Sequence, residues 1–336
     1  MRLLVPGGAG FIGSNFIRRV LGRRPDWRVV NLDKLTYAGN LDNLKDLEAD
    51  PRYRFVRGDI ADAALVDGLA GGGIDAVVNF AAETHVDRSI GGAGDFIRTD
   101  VLGAFVLLEA ARRHKIPRFV QISTDEVYGS IEKGSFVETD PLMPRNPYSA
   151  SKAGADRLAY SYWATYHLPV IITRASNNFG PYQYPEKVIP LFVTNAIKDL
   201  PLPLYGDGMN VRDWLFVEDH CAAVELLLEK GADGEAYNIG GGNEIPNAEL
   251  TRFILDHLKK PASLVRRVKD RQGHDRRYSL NCDKLKALGW APLADFAQAM
   301  RETIDWYVEN EWWWAKLKSG EYLEYYRRQY VDRERE

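Results

Sequence analysis

Short apolar runs alternate with longer amphipathic stretches through the first half of the chain. Residues 2–6, 29–32, 54–56, 76–80, 119–122 and 170–173 read as strands. Segments 11–21, 64–69, 96–114 and 148–166 carry apolar positions at helical spacing. The run Ala76-Val77-Val78-Asn79-Phe80 is almost continuously apolar, as in a strand covered on both faces. Strand and helix in alternation predict βαβ units on a parallel sheet.

After about Asn178 the rhythm changes. Pro and Gly become frequent, and helices are expected at 217–229, 247–259 and 293–310 without a regular strand between each pair. The expected architecture is α/β: a doubly wound parallel sheet with a smaller C-terminal substrate domain. Residues 1–180 form the first part, with a later return near 211–242, and 181–336 form mainly the second. A ligand cleft is expected between them.

Composition narrows the function classes. The 336 residues are 45% hydrophobic and 27% charged, with net charge −3, so no basic footprint for nucleic acid exists. No apolar stretch approaches the roughly 20 residues of a membrane span. The start runs directly into a Gly-rich turn, which leaves no room for a signal peptide. Cys221 and Cys282 lack CxxC spacing, and no histidine pair suggests a metal. The expectation is a cytoplasmic, metal-independent protein.

Gly7, Gly10 and Gly13 give G-x-x-G-x-x-G between a strand and a helix. Such a turn brings bare backbone and a helix N-terminus to a pyrophosphate. A Gly-rich turn alone is also an ordinary strand–helix connection. Twenty residues beyond Gly13, the second strand ends in Asp33. A carboxylate there can hold an adenosine ribose hydroxyl and repel a 2′-phosphate, which favours NAD over NADP. Lys34 beside it works against that discrimination. Asp59 and Ile60, after the third strand, are placed to meet the adenine.

Tyr148 and Lys152 stand four residues apart at the start of a helix, so their side chains share a face. An ammonium close to a phenol stabilises the phenolate and makes it a usable base. Such pairs are common on solvated helices, and it is the upstream fingerprint that gives this one meaning. The fifth strand breaks into Thr124-Asp125-Glu126 at the C-terminal edge of the sheet. Thr124 can hydrogen-bond the hydroxyl that Tyr148 deprotonates. Two adjacent carboxyls push one another's proton affinities apart, so one can serve as acid and the other as base. An elimination needs that combination, whereas a simple alcohol oxidation does not.

Several segments together resemble the extended short-chain dehydrogenase/reductase family, with a Rossmann fold, and within it the dTDP-glucose 4,6-dehydratases. They include Ala81-Ala82-Glu83-Thr84-His85-Val86-Asp87-Arg88-Ser89, Ser123-Thr124-Asp125-Glu126-Val127-Tyr128-Gly129, Tyr148-Ser149-Ala150-Ser151-Lys152, Ser176-Asn177-Asn178-Phe179-Gly180-Pro181 and Arg212-Asp213-Trp214. The resemblance spans essentially the whole chain. Members that only epimerise carry a small Ser/Thr run at the Thr-Asp-Glu position, and GDP-mannose dehydratases typically place Ser-Glu there.

The resemblance implies oxidation of a nucleotide-bound hexose at C4, loss of water across C5–C6 and return of the hydride, with NAD tightly bound and regenerated. It implies that Tyr148 is the base, supported by Lys152 and Thr124, that Asp125 protonates the leaving C6 hydroxyl, and that Glu126 removes the C5 proton. Cofactor contacts are implied for Gly7, Gly10, Phe11, Ile12, Gly13, Asp33, Lys34, Thr36, Asp59, Ile60, Phe80, Ala81, Ala82, Thr99, Tyr148, Lys152 and Asn178. Substrate contacts are implied for Thr84, His85, Thr124, Asn177, Lys187, Val188, Pro203, Tyr205, Arg212, Asn247, Arg271, His274 and Tyr278, with Arg212 clamping the diphosphate. Helices 96–114 and 148–166 are the implied homodimer interface.

Two positions depart from the family pattern: Pro6, where Thr is usual, and Gln272, where Pro is usual. The alternative enzymatic readings are a sugar-nucleotide 4-epimerase or a decarboxylase on the same scaffold, neither of which needs the Asp125–Glu126 doublet. A non-catalytic NAD sensor would tolerate loss of Tyr148 or Lys152, and both are present. The C-terminal aromatics, Trp306 to Tyr330, are expected to pack terminal helices rather than stack on bases.

Overall fold

In a computed structural model, described for residues 1–270 and 273–332, seven parallel strands form the central sheet. They are β1 (Arg2–Pro6), β2 (Arg28–Asp33), β3 (Tyr53–Arg57), β4 (Ala76–Asn79), β5 (Phe119–Thr124), β6 (Val170–Ala175) and, at one edge, Ala236–Ile239. The order runs from Ala236–Ile239 through β6, β5, β4, β1 and β2 to β3. The chain therefore starts in the middle, winds outward one way through β2 and β3, then returns to β4 on the other side of β1. The gap between β1 and β4 is the topological switch point, where such sheets hold ligands beyond the strands' carboxyl ends.

Apolar side chains cover both faces. One core joins Phe16, Ile17 and Val20 of the helix Phe11–Arg23 to Leu3, Val5, Val224 and Leu227. The other joins Leu4, Leu32 and Val77 to Leu107, Ala111 and Tyr162. This double cover explains why β4 reads as an almost continuously apolar run.

Helix ends follow local chemistry. Asn146 caps the helix Pro147–Tyr166 by accepting the Ser149 N–H at 2.9 Å, and Pro147 occupies the first turn, where its missing donor costs nothing. Expectation and structure differ at 293–310: the helix begins at Phe296, because Asp295 accepts the Gln298 N–H at 2.9 Å and sets the start there. The expected helix 96–114 is not uniform, since a π-helical turn, Ile97–Gly103, precedes the regular helix Ala104–Arg113.

The later part contains strands that the periodicity does not announce. Asn177–Phe179 (β7), Val211–Phe216 and Glu244–Pro246 form a three-stranded sheet, and Leu202–Tyr205 pairs with Val265–Val268. Most span three or four residues, too few for alternation to register. A third core here gathers Phe192, Trp214, Ile254 and Ile304 with Tyr307, Trp313, Trp314 and Tyr322. The C-terminal aromatics in this core are packing residues. Trp313 donates to Asn43 Oδ1 at 2.8 Å and Tyr307 to the Gln183 carbonyl at 2.6 Å, so their polar ends are also satisfied. No helix among the described residues is long and apolar enough to cross a membrane.

Candidate active site

The Gly-rich turn sits where β1 ends. Gly7 has φ +75° and lies so close to the next loop that a Cβ would stand 2.5 Å from the Ala81 nitrogen. A Cβ on Gly13 would reach 2.3 Å from the Gly7 carbonyl oxygen. The turn thus needs glycine for its backbone angle at the first position and for close packing at the last. Pro6 is accommodated: it closes β1, and its carbonyl accepts the Phe80 N–H at 2.9 Å.

Asp33 stands at the end of β2, buried. One carboxylate oxygen accepts the Ala9 N–H at 2.9 Å and the other accepts the Leu35 N–H at 2.8 Å. Burial pushes its pKa up, and those two donors pull it back. Each oxygen keeps lone-pair capacity for a further donor. Lys34 turns to Asp59, with Nζ 2.9 Å from Oδ2. Its charge is thereby compensated, which removes most of its ability to favour a 2′-phosphate.

From this turn a cleft runs along the sheet edge. Among the implied cofactor positions it is lined by Gly7, Gly10, Phe11, Ile12, Gly13, Asp33, Lys34, Thr36, Asp59, Ile60, Phe80, Ala81, Ala82, Thr99 and Asn178. Thr124, Asp125, Glu126, Tyr148 and Lys152 line its inner end, with Thr84, Asn177 and Lys187 beside them. Several buried polar atoms there have no protein partner: Ser123 Oγ, Asp125 Oδ2, Glu126 Oε2, Ser176 Oγ, Asn177 Oδ1 and His220 Nε2. Such atoms, next to a glycine cradle and a ribose-type carboxylate, fit a polar dinucleotide and its substrate.

The reactive groups are pre-set by β5 and the helix Pro147–Tyr166. Thr124 ends the strand, donates to Asp125 Oδ1 at 3.1 Å and accepts the Glu126 N–H at 3.3 Å. Burial first, then the charge of Glu126, drives the Asp125 carboxyl well above the usual carboxylate range. That direction suits Asp125 to an acid's role. Tyr148 is buried, and burial followed by the charges of Glu126 and Asp100 raises its phenol well above its ordinary value, while hydrogen bonding to Thr124 acts the other way. Lys152 donates to the Ile122 carbonyl at 2.7 Å. Burial lowers its pKa, opposed by Asp100 and Asp156.

Of the remaining implied substrate positions, none of the described ones lines that cleft, and Arg212 and Tyr278 stand beyond the doublet. The Arg212 guanidinium stacks 4.4 Å over the Tyr278 ring and donates to the Asp275 carbonyl at 3.0 Å. Its charge reaches Asp125, and that of Glu126 reaches Tyr278, so this cluster adjoins the reactive groups. Tyr205, at the end of the strand carrying Pro203, contacts the ring of His274 at 5.9 Å. Asn247 opens the helix Asn247–His257, and its Oδ1 is buried without a protein partner. Val188 opens the helix Val188–Ile197. His85 does not line the cleft itself: its ring meets Tyr325 and approaches Asp87, whose carboxylate accepts the Tyr205 hydroxyl at 3.2 Å. Arg271 and Gln272 lie outside the described residues.

Several cleft residues carry no signal of their own in the sequence. Glu83 is raised to about 7 by burial and the neighbouring Asp100 and Asp95. His220 is buried, with Nδ1 2.9 Å from Asn178 Oδ1. Glu83 stands inside a segment that matches the family pattern, but neither residue has a spacing that marks it.

Known proteins agree with this geometry. The family model described as GDP-mannose 4,6 dehydratase matches residues 4–303. A dTDP-glucose 4,6-dehydratase of Streptomyces antibioticus is 56% identical over 324 residues, 95% of this chain and 96% of that protein. The solved dTDP-glucose 4,6-dehydratase of Streptomyces venezuelae, with NAD bound, superposes with a TM-score of 0.93 at 54% identity, covering 95% of this chain and all of that one. That of Bacillus anthracis, also in complex with NAD, gives 0.89 at 49% identity, with 95% and 100% coverage. The GDP-mannose model describes the wider group, and relatives this similar over nearly the full length carry the narrower assignment. The chain belongs to the dTDP-glucose 4,6-dehydratase family of extended short-chain dehydrogenase/reductases.

Proposed function

We propose that this protein converts dTDP-glucose to dTDP-4-keto-6-deoxyglucose with NAD as a bound, regenerated cofactor. The observation that carries the reading is the Asp125–Glu126 doublet sharing one cleft with Tyr148 and Lys152, with burial raising the proton affinity of Asp125.

The sequence of proton movements follows from those positions. Tyr148, hydrogen-bonded to Thr124 and one helical turn from Lys152, takes the proton of the sugar C4 hydroxyl. Bound beside Gly7, Gly10, Gly13 and Asp33, NAD would supply the hydride acceptor for C4 and, once reduced, the hydride donor for C6. The ketone at C4 acidifies C5, and Glu126 removes that proton. Asp125 donates its proton to the C6 oxygen, and water leaves. C5 is reprotonated as C6 is reduced.

Residues 1–180, with 211–242, hold the cofactor on this reading, and 181–336 hold mainly the sugar nucleotide, with Arg212 at the diphosphate. Two copies pair through the helical segments 96–114 and 148–166. Support for that pairing is the set of exposed apolar side chains on them: Ile97, Leu102, Phe105, Tyr160 and Tyr166. Two buried free cysteines suit a cytoplasmic setting.

The test is incubation with dTDP-, UDP-, CDP- and GDP-hexoses, followed by mass measurement. Loss of one water from dTDP-glucose is expected. An unchanged mass for all four would refute the reading.

A further inference from the structure

The π-helical turn Ile97–Gly103 lies against the helix Pro147–Tyr166, and turns of this kind often mark functional sites. Asp100 sits within it and is only 3% exposed. Its Oδ1 accepts the Glu83 N–H at 2.9 Å, and its Oδ2 accepts the Ser151 hydroxyl at 2.6 Å. Glu83 belongs to the cleft loop after β4, and Ser151 immediately precedes Lys152. One carboxylate therefore fastens the cleft wall to the helix that carries the proton-transfer pair.

Charge adds to that geometry. Lys152 is the leading charge acting on Asp100, and Asp100 is the leading charge acting on Lys152. Burial raises Asp100 to about 6, while Lys152 and the hydrogen bonds from Ser151 and Glu83 favour its ionised form. Other ionisable groups also face the pair: Asp156 acts on Lys152, and Glu126 and Asp125 act on Tyr148. Glu83 in turn faces Asp95, Arg88 and Glu186. No step of oxidation or elimination needs a carboxylate at position 100.

We propose that Asp100 is a positioning residue of the Tyr148–Lys152 pair, fixing Ser151 on the catalytic helix and supplying a buried negative charge opposite Lys152. The proposal rests on the roles given above to Tyr148 and Lys152. A buried ammonium tends to lose its proton, and an anion facing it opposes that loss. The same anion makes the Tyr148 proton harder to remove. Both proton losses therefore become easier when the charge at position 100 is removed, and the signs agree.

The experiment follows C4 oxidation in single turnovers, by cofactor absorbance, across the pH range. Asp100→Asn should move both limbs of the pH profile to lower pH by roughly one unit, the size of effect a nearby charge produces. Ser151→Ala keeps the charge and loses the clamp, so its rate should fall while its limbs stay in place. Limbs that stay put in a folded, cofactor-loaded Asp100→Asn protein would overturn the proposal, as would an equal shift in Ser151→Ala. Should the amide variant not fold, Asp100→Ser carries the same expectation. Tyr148→Phe belongs in the series: continued C4 oxidation there refutes the role of the pair itself. An inert Tyr148→Phe with unmoved Asp100→Asn limbs refutes only the role of Asp100.

Discussion

Lys34 Nζ lies 2.9 Å from Asp59 Oδ2, so the one lysine adjoining the ribose-type carboxylate Asp33 is already paired. Arg98 also approaches Asp59, at 3.6 Å. With both cations drawn to Asp59, the pocket beyond Asp33 favours NAD. Asp59→Asn should release them while its amide oxygen keeps the Ala61 N–H. Because Lys34 and Arg98 are more than half exposed, the gain is modest, with affinity for NADP relative to NAD rising a few-fold to about tenfold. Competitive titration of the two dinucleotides measures it, and an unchanged ratio would show that the pair has no part in the choice.

Tyr148→Phe deletes the proton acceptor but leaves the ring packed against Phe96, 6.3 Å between centroids. Folding and NAD retention should therefore be preserved. C4 oxidation should drop by about 10²–10⁴-fold, the usual contribution of a general base. Single-turnover formation of reduced cofactor reads the loss directly. A rate near that of the parent protein would place the base elsewhere in the cleft.

What the sequence makes legible follows from how local each signal is. The Gly-rich turn and Asp33 are legible because consecutive elements of one βαβ unit carry them at set offsets. Tyr148 and Lys152 are legible because one helical turn joins them. Arg212, Tyr205, Asn247 and Tyr278 are brought together only by tertiary packing of a region whose strands are mostly three or four residues long, so resemblance alone points to them. Asp100 is hidden for another reason. On a helical segment an acid reads as a solvated position, and only the structure places it at 3% exposure against Ser151. His85 illustrates the opposite case, since it stands one residue from the cleft-lining Thr84 yet its ring turns to Tyr325.

His220 provides a pH-dependent stability test. Asn178 Nδ2 donates to the Ser176 carbonyl, so Asn178 Oδ1 is an acceptor and His220 Nδ1 carries the proton. Nε2 is buried with no protein partner, and burial lowers the ring's pKa to about 4. The unfolded chain, with an ordinary histidine near 6.5, binds this proton first as pH falls. Stability is therefore intact above about 6.5 and is lost progressively down to about 4, in total on the order of 3 kcal/mol. His220→Gln should flatten that part of the urea-midpoint profile. An equally steep decline in the variant would assign the acid sensitivity to other groups.

The sharpest division of labour concerns Asp125 and Glu126, which share one turn but not one environment. Asp125 is enclosed and hydrogen-bonded by Thr124, and burial followed by the charge of its neighbour raises its proton affinity. On the proposed mechanism a protonated Asp125 gives its proton to the departing C6 oxygen, and Glu126 takes the one from C5. Glu126→Gln should thus permit C4 oxidation while solvent deuterium no longer enters C5. Asp125→Asn should keep that exchange and slow loss of the C6 hydroxyl, because an amide has no proton to spare. Each step should slow by about 10²–10⁴-fold. Mass spectrometry in deuterium oxide, on variants shown to be folded and loaded with NAD, separates the two outcomes. Continued deuterium incorporation in Glu126→Gln at the parent rate would remove Glu126 from the base role, and loss of incorporation in Asp125→Asn instead would exchange the two assignments.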